Sequence, residues 1–249
     1  VYKVLLVDPS LDHFNAGQFF RHSVLEPLGL EYLASSLHQA GYEVDILQTD
    51  NGGDKILLQK ISKAKPRVIG FSVYTYNASR IICLTKLIKR NFKSIKIIAG
   101  GPHVTAVPDF AEEGLFDCVL RGEGEEVLPI LIGLKNFDDI LGCKKSNGRK
   151  YPVIQAPRIK DLDKLPRPMR SPAILDRCRI WSVMDPPPEK QIKTAQILTS
   201  RGCPFSCTFC ASANMFGRKV FYRSPANVVD EIECLQKTMD TNTLCFSDL

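Results

Sequence analysis

No stretch of the 249-residue sequence is long and apolar enough to cross a bilayer. The longest apolar run, Val127 to Leu134, already contains Pro129 and Gly133, whereas a span needs about 20 residues. A secretory leader is not expected either: Val4-Leu5-Leu6-Val7 stops at Asp8 and reads as a strand, not as the basic start and apolar core of a signal. There is no internal repeat and no low-complexity tract, and a composition of 44% hydrophobic and 24% charged residues excludes a disordered or fibrous chain. No basic block is present either. The 33 Lys and Arg against 27 Asp and Glu give a formal charge of +6 spread along the chain, so neither a nucleic-acid nor a membrane partner is expected. A cytoplasmic location is the expectation.

What the first half does have is an alternation of two hydrophobic periods. Short β-branched runs at Lys3–Val7, Glu43–Leu47, Arg67–Val73, Lys96–Ala99 and Cys118–Leu120 read as strands. Between them, Leu30, Leu33 and Leu37, then Leu57, Ile61 and Ala64, then Ile81, Leu84 and Ile88 recur at helical spacing. Further helices are expected around Val107–Glu113 and Glu125–Leu134. Five strands alternating with five helices predict an α/β, flavodoxin-like (Rossmann-like), doubly wound parallel sheet of order 2-1-3-4-5.

Ligands of such sheets sit beyond the carboxyl ends of the strands. Here those ends read Asp8-Pro9, Ser72-Val73-Tyr74-Thr75, Gly100-Gly101-Pro102-His103 and Arg121-Gly122-Glu123-Gly124. Glycine there lets backbone N–H groups approach a ligand, although tight strand-to-helix turns alone would use the same residues. Beyond the sheet, Cys143–Tyr151 reads as a hairpin around Asn147-Gly148. Eight of the sixteen prolines lie between Tyr151 and Glu189, which predicts an extended linker. The domains expected are therefore 1–140, a hairpin and Pro-rich linker at 141–192, and a second unit at 193–249.

Of nine cysteines, six stand singly, as buried free thiols do: Cys83, Cys118, Cys143, Cys178, Cys234 and Cys245. The other three crowd into Cys203-x3-Cys207-x2-Cys210, directly after a strand at Thr194–Thr199. In a reducing compartment such crowding points to a metal rather than to disulfides. Thiolates select zinc or iron–sulfur, and a structural zinc wants a fourth protein ligand that is not nearby. Zinc and plain buried thiols remain the alternatives.

This Cys-x3-Cys-x2-Cys spacing, with Phe209 before its last cysteine, resembles the radical S-adenosylmethionine (SAM) superfamily. Asp161–Pro168, Pro27-Leu28-Gly29-Leu30, Gly100–His103, Arg121–Glu125 and Arg223-Ser224-Pro225 are similar to its cobalamin-binding branch. The resemblance covers essentially the whole chain. It implies a cobalamin domain at 1–140 followed by the start of a partial TIM barrel, three cofactors ([4Fe-4S] cluster, S-adenosylmethionine and cobalamin), and reductive cleavage to a 5′-deoxyadenosyl radical. The expected outcome is methyl transfer to an unactivated carbon, with radical cyclisation or rearrangement, or a non-catalytic corrinoid carrier, as alternatives. Partners implied are a small-molecule or peptide substrate and an electron donor such as flavodoxin or ferredoxin.

Carried over residue by residue, Cys203, Cys207 and Cys210 are the cluster ligands and Phe209 packs near the adenine. Pro9, Ser72, Tyr74, Thr75, Gly100, Gly101, Pro102, His103, Gly122, Glu123 and Gly124 are the cobalamin contacts. No residue is assigned a catalytic role. His13, in Asp12-His13-Phe14-Asn15-Ala16-Gly17, is misspaced for an axial cobalt ligand and reads as a loop histidine. After Thr194 the sequence has room for two βα units, with a helix at Ser224–Thr238 and a strand at Thr243–Ser247. The chain thus reads as a fragment of a longer enzyme, not competent alone, in which Asp248 has nothing to work against.

Overall fold

A computed structural model describes residues 3–9, 26–49, 53–110, 114–134, 152–176, 178 and 193–248. The Asp12–Gly17 loop, the Cys143–Tyr151 hairpin and the triple proline lie outside these residues. The expected strands form β1 (Lys3–Asp8), β2 (Glu43–Gln48), β3 (Val68–Ser72), β4 (Lys96–Gly100) and β5 (Cys118–Arg121). Every pairing among them is parallel. A sixth strand, β6 (Val153–Gln155), extends the order to 2-1-3-4-5-6. It falls inside the stretch expected to be linker. Three residues between Pro152 and Pro157 suffice, because an edge strand tolerates prolines at its ends.

Alternation along the strands divides the core between the two faces. Leu5, Val7, Ile69, Phe71 and Ile97 pack on α2 (Asp54–Ala64) and α3 (Ala78–Asn91) through Leu57, Ile61, Ile81, Leu84 and Ile88. Val4, Leu6, Ile98 and Leu120 pack on α1 (Leu28–Gln39) and α5 (Val127–Gly133) through Leu30, Leu37, Leu128 and Leu131. Of the helix expected around Val107–Glu113, residues 111–113 lie outside the described ones, and 107–110 are not helical; the helix before them is α4 (Pro102–Ala106). Pro102 supplies the preset φ of a first helical turn, while Pro108 disfavours helical backbone at Val107, where φ is −129° and ψ 76°.

A short helix, α6 (Pro172–Leu175), leads to the second unit. There β7 (Thr194–Ile197) pairs in parallel with β10 (Thr243–Phe246), and β8 (Ser200–Arg201) pairs antiparallel with β9 (Phe221–Tyr222). The intervening helices are α7 (Ser212–Phe216) and α8 (Pro225–Met239), the latter capped by Ser224, whose side chain accepts from the Asn227 N–H. A small core of Leu175, Ala195, Ile197 and Leu235 holds this unit. Asp248 does have work here: its carboxylate accepts the Thr199 and Ser200 N–H groups at 2.7 and 2.8 Å and so fixes the turn from β7 to β8. Of the single cysteines, Cys118 and Cys178 are buried as expected, but Cys83 is exposed, and Cys234 and Cys245 are half-buried. Among the described residues, no helix is long and apolar enough to cross a membrane.

Candidate functional site

The carboxyl ends of β3, β4 and β5 are held in register by the loops that follow them. Val73 N–H donates to the Gly100 carbonyl at 2.8 Å, and His103 N–H donates to the Val73 carbonyl at 3.0 Å. Gly101, at φ +105°, sits so close that a Cβ would stand 2.9 Å from the Val73 nitrogen. Buried Thr105 then ties two turns together: its hydroxyl donates to the Gly101 carbonyl at 2.9 Å and accepts the Gly122 N–H at 3.0 Å. Asn77, fully buried, holds the β3 end by donating to the Ser72 carbonyl and accepting the Tyr74 N–H.

These turns border a mainly apolar cavity of about 280 Å³. Of the expected contacts, Ser72, Tyr74, Gly100, Gly101, Pro102, Gly122, Glu123 and Gly124 line it. Pro9, Thr75, His103 and Phe209 are not on that lining. Pro9 is buried just past the carboxyl end of β1, and the Thr75 hydroxyl is 3.1 Å from His103 Nδ1, whose ring meets Phe110 edge-on. Desolvation lowers the His103 pKa, so its ring is neutral at physiological pH. The sequence reading missed the apolar lining from elsewhere: Leu28, Leu33 and Leu128, together with Leu198, Met215 and Phe216 of the second unit. Met215-Phe216, an apolar pair just past the cysteine triplet, was the available signal.

The triplet occupies the loop between β8 and α7. Cys203 is half-buried, Cys207 and Cys210 are exposed, and all three are free thiols. Phe205 and Phe209 are 70% and 91% exposed, so Phe209 stands almost clear of the other described residues. Among the described residues no three Cys, His, Asp or Glu side chains converge tightly enough to hold a metal, these thiols included. Cys210 Sγ donates to the Ser212 hydroxyl at 3.2 Å, and side-chain and backbone hydrogen bonding with Ser212 lowers the pKa of that thiol. Three free thiols on one loop, with no fourth donor converging on them among the described residues, fit a cluster that keeps one iron open, though the loop is not drawn into that geometry.

Two buried ionic seams join the units. In one, Arg201 donates to Glu123 at 3.0 Å and to Glu125 at 2.7 Å, with its guanidinium over the Tyr32 and Phe216 rings. In the other, Arg170 binds Glu26 and Glu231, each at 2.5 Å, and Arg223 binds Glu231 from the opposite side at 2.5 Å. Glu31, fully buried in the second seam, makes no hydrogen bond on either oxygen among the described residues, and Arg170 Nε stands 3.9 Å from its Oε2. Burial first, then the neighbouring Glu26 carboxylate, push its pKa far up. A neutral Glu31 leaves two carboxylates facing two guanidinium groups. A carboxyl whose folded pKa is raised destabilises the fold progressively as pH climbs above the ordinary carboxylate range. Glu31→Gln should therefore melt higher than the parent, with a gap that widens between about pH 5 and pH 9; a gap that is constant with pH would contradict a protonated Glu31.

Residues 21–132 match the family described as the B12 binding domain. Beyond that segment, the whole chain is 29% identical over 259 residues to an uncharacterized methyltransferase of Pyrococcus horikoshii, covering 53% of it. It is also 30% identical over 221 residues to the hopanoid C-3 methylase of Methylococcus capsulatus, covering 86% of this chain and 41% of that one. The chain is thus similar, over most of its length, to B12-binding radical SAM proteins. The fold of the radical SAM methyltransferase TsrM from Kitasatospora setae, solved with cobalamin and a [4Fe-4S] cluster, agrees: the TM-score is 0.69 at 19% identity, over 99% of this chain and 48% of that one. The chain spans about half the length of the curated relatives it matches, or less. In the structure, the glycine turns of the first unit and the flank of the cysteine loop share one cavity, whose lining includes Gly100, Gly122, Arg201 and Phe216.

Proposed function

We propose that the chain carries the cobalamin and cluster sites of a radical SAM enzyme that transfers a methyl group to an unactivated carbon of a small molecule. The observation that carries this reading is the shared cavity, in which strand-end glycines of the first unit face residues flanking three free thiols of the second. When bound, the cofactors supply an electron from the cluster to cleave S-adenosylmethionine and a methyl group on cobalt. The chain's own residues bind and orient them. Cys203, Cys207 and Cys210 hold the cluster, and Gly100, Gly101, Gly122 and Gly124 let backbone approach the corrinoid, with Ser72, Tyr74, Pro102 and Glu123 beside them.

At about 280 Å³ the cavity is at the lower edge of small-molecule sites, about 300–1,000 Å³, so it takes one arm of a corrinoid, the aromatic base of the nucleotide tail, rather than the whole. Leu28, Leu33 and Leu128 would exclude water from that arm. Pro9, Thr75 and His103 belong to the rim of the same site, and Phe209 to the adenine side of the loop. In domain terms, the corrinoid unit is 1–140 with β6 added from the 141–192 connector, and 193–249 begins the radical unit. A flavodoxin or ferredoxin and a cytoplasmic setting complete the reading. Titration with hydroxocobalamin, followed by absorbance, tests it. The parent should bind, and Gly101→Ala should weaken binding by about tenfold, because left-handed backbone and contact with Val73 strain the turn by about 1–3 kcal/mol. A parent that binds no corrinoid, or a variant that binds equally well, would contradict it.

A further inference from the structure

The cysteine loop leaves and rejoins the second unit at two glycines in left-handed backbone, Gly202 at φ +108° and Gly217 at φ +68°. Cys203 N–H donates to the Gly217 carbonyl at 3.2 Å and closes the base between them. Both glycines face one side chain from outside the loop. A Cβ on Gly202 would clash with the Lys219 carbonyl oxygen and stand 3.2 Å from Arg158 Nη2, and one on Gly217 would stand 3.3 Å from Arg158 Nε. The same guanidinium donates to the Lys219 carbonyl at 3.2 Å and lies over the Phe221 ring. Its other nitrogen donates to the fully buried Glu123 carboxylate at 2.8 Å. That carboxylate also accepts the Ile159 N–H at 3.1 Å and, through its second oxygen, Arg201, the residue just before Gly202.

We propose that Arg158 is a positioning residue that fixes the base of the Cys203–Cys210 loop to the Gly122–Glu125 turn, so that the thiols and the corrinoid cavity are held at one separation. The proposal rests on the reading of the loop as a cluster site only for what the loop carries; the clamp itself exists without metal. A planar fork can serve Glu123 and the loop's far foot at once; a Cβ at Gly217 would press on it at 3.3 Å, while at Gly202 the Lys219 backbone itself demands glycine. Lysine, with a single charged point, could hold Glu123 and lose the other contacts.

The test uses iron-free protein and alkylation of each cysteine by iodoacetamide, read by mass spectrometry. Exposed Cys83 is the internal reference and buried Cys118 reports global unfolding. In Arg158→Leu and in Glu123→Gln, labelling of half-buried Cys203 relative to Cys83 should rise about tenfold, the loss of one hydrogen bond to a charged group. In Arg158→Lys the rise should be smaller, and Cys118 should stay protected in all three. An unchanged Cys203 ratio with Cys118 protected would overturn the proposal. So would labelling of Cys118 in both Arg158→Leu and Glu123→Gln, since the contact would then serve the fold as a whole. Because no iron is present, these outcomes are separate from failure of the parent to take up a cluster.

Discussion

Arg170→Met is expected to lower stability by about 3–5 kcal/mol. The Arg170 guanidinium, 4% exposed in its side chain, joins Glu26 at the entrance to α1, Glu231 on α8 and the Gln196 carbonyl on β7. Removing it leaves two carboxylates without their shared partner, and removing one member of a buried pair leaves an uncompensated charge. Glu26 retains the Gln196 N–H at 2.7 Å and Glu231 retains Arg223, so the loss is bounded. Arg170→Lys should recover only part of it, since an ammonium cannot reach three acceptors in one plane. Denaturant unfolding measures the effect, and a change below about 1 kcal/mol would place the seam's strength elsewhere.

Replacing Cys203, Cys207 or Cys210 singly by alanine should remove most of the iron–sulfur absorbance of the reconstituted protein, a loss of more than about tenfold in bound iron. Three protein ligands leave no spare thiolate to compensate, and Cys234 and Cys245 lie outside the loop. Cys83→Ala, on the exposed face of α3, should change nothing. Iron content measured after anaerobic desalting decides. Retention of the cluster in any of the three variants would mean that another residue is a ligand.

The sheet was legible because its signal is periodic. Val4, Leu6 and Leu5, Val7 alternate between two helical layers, and Leu57, Ile61 and Ile81, Leu84, Ile88 mark the helices that cover one face. β6 was not legible, since Val153-Ile154-Gln155 is too short to show a period amid prolines. The glycine turns and the cysteine loop could be found because unusual residues stand close together in sequence. The seams could not: Arg158 lies 35 residues from Glu123, Arg170 lies 61 from Glu231 and 144 from Glu26, and each arginine alone looks like a solvated surface charge. Glu123 was picked out as a site residue, yet its two oxygens are held by arginines and a backbone N–H. Asp248 looked idle because the N–H groups it accepts are 48 and 49 residues away.

Anaerobic reconstitution with iron, sulfide and hydroxocobalamin, followed by quantitation of metal and corrinoid in the same sample, tests the central claim most directly. A single chain offering both sites should retain about four irons with matching sulfide and stoichiometric corrinoid. Electron paramagnetic resonance of its cobalt(II) form should show no nitrogen coupling from a protein imidazole, in keeping with the misspaced His13. Stoichiometric zinc in place of iron, with no corrinoid retained, would contradict the account.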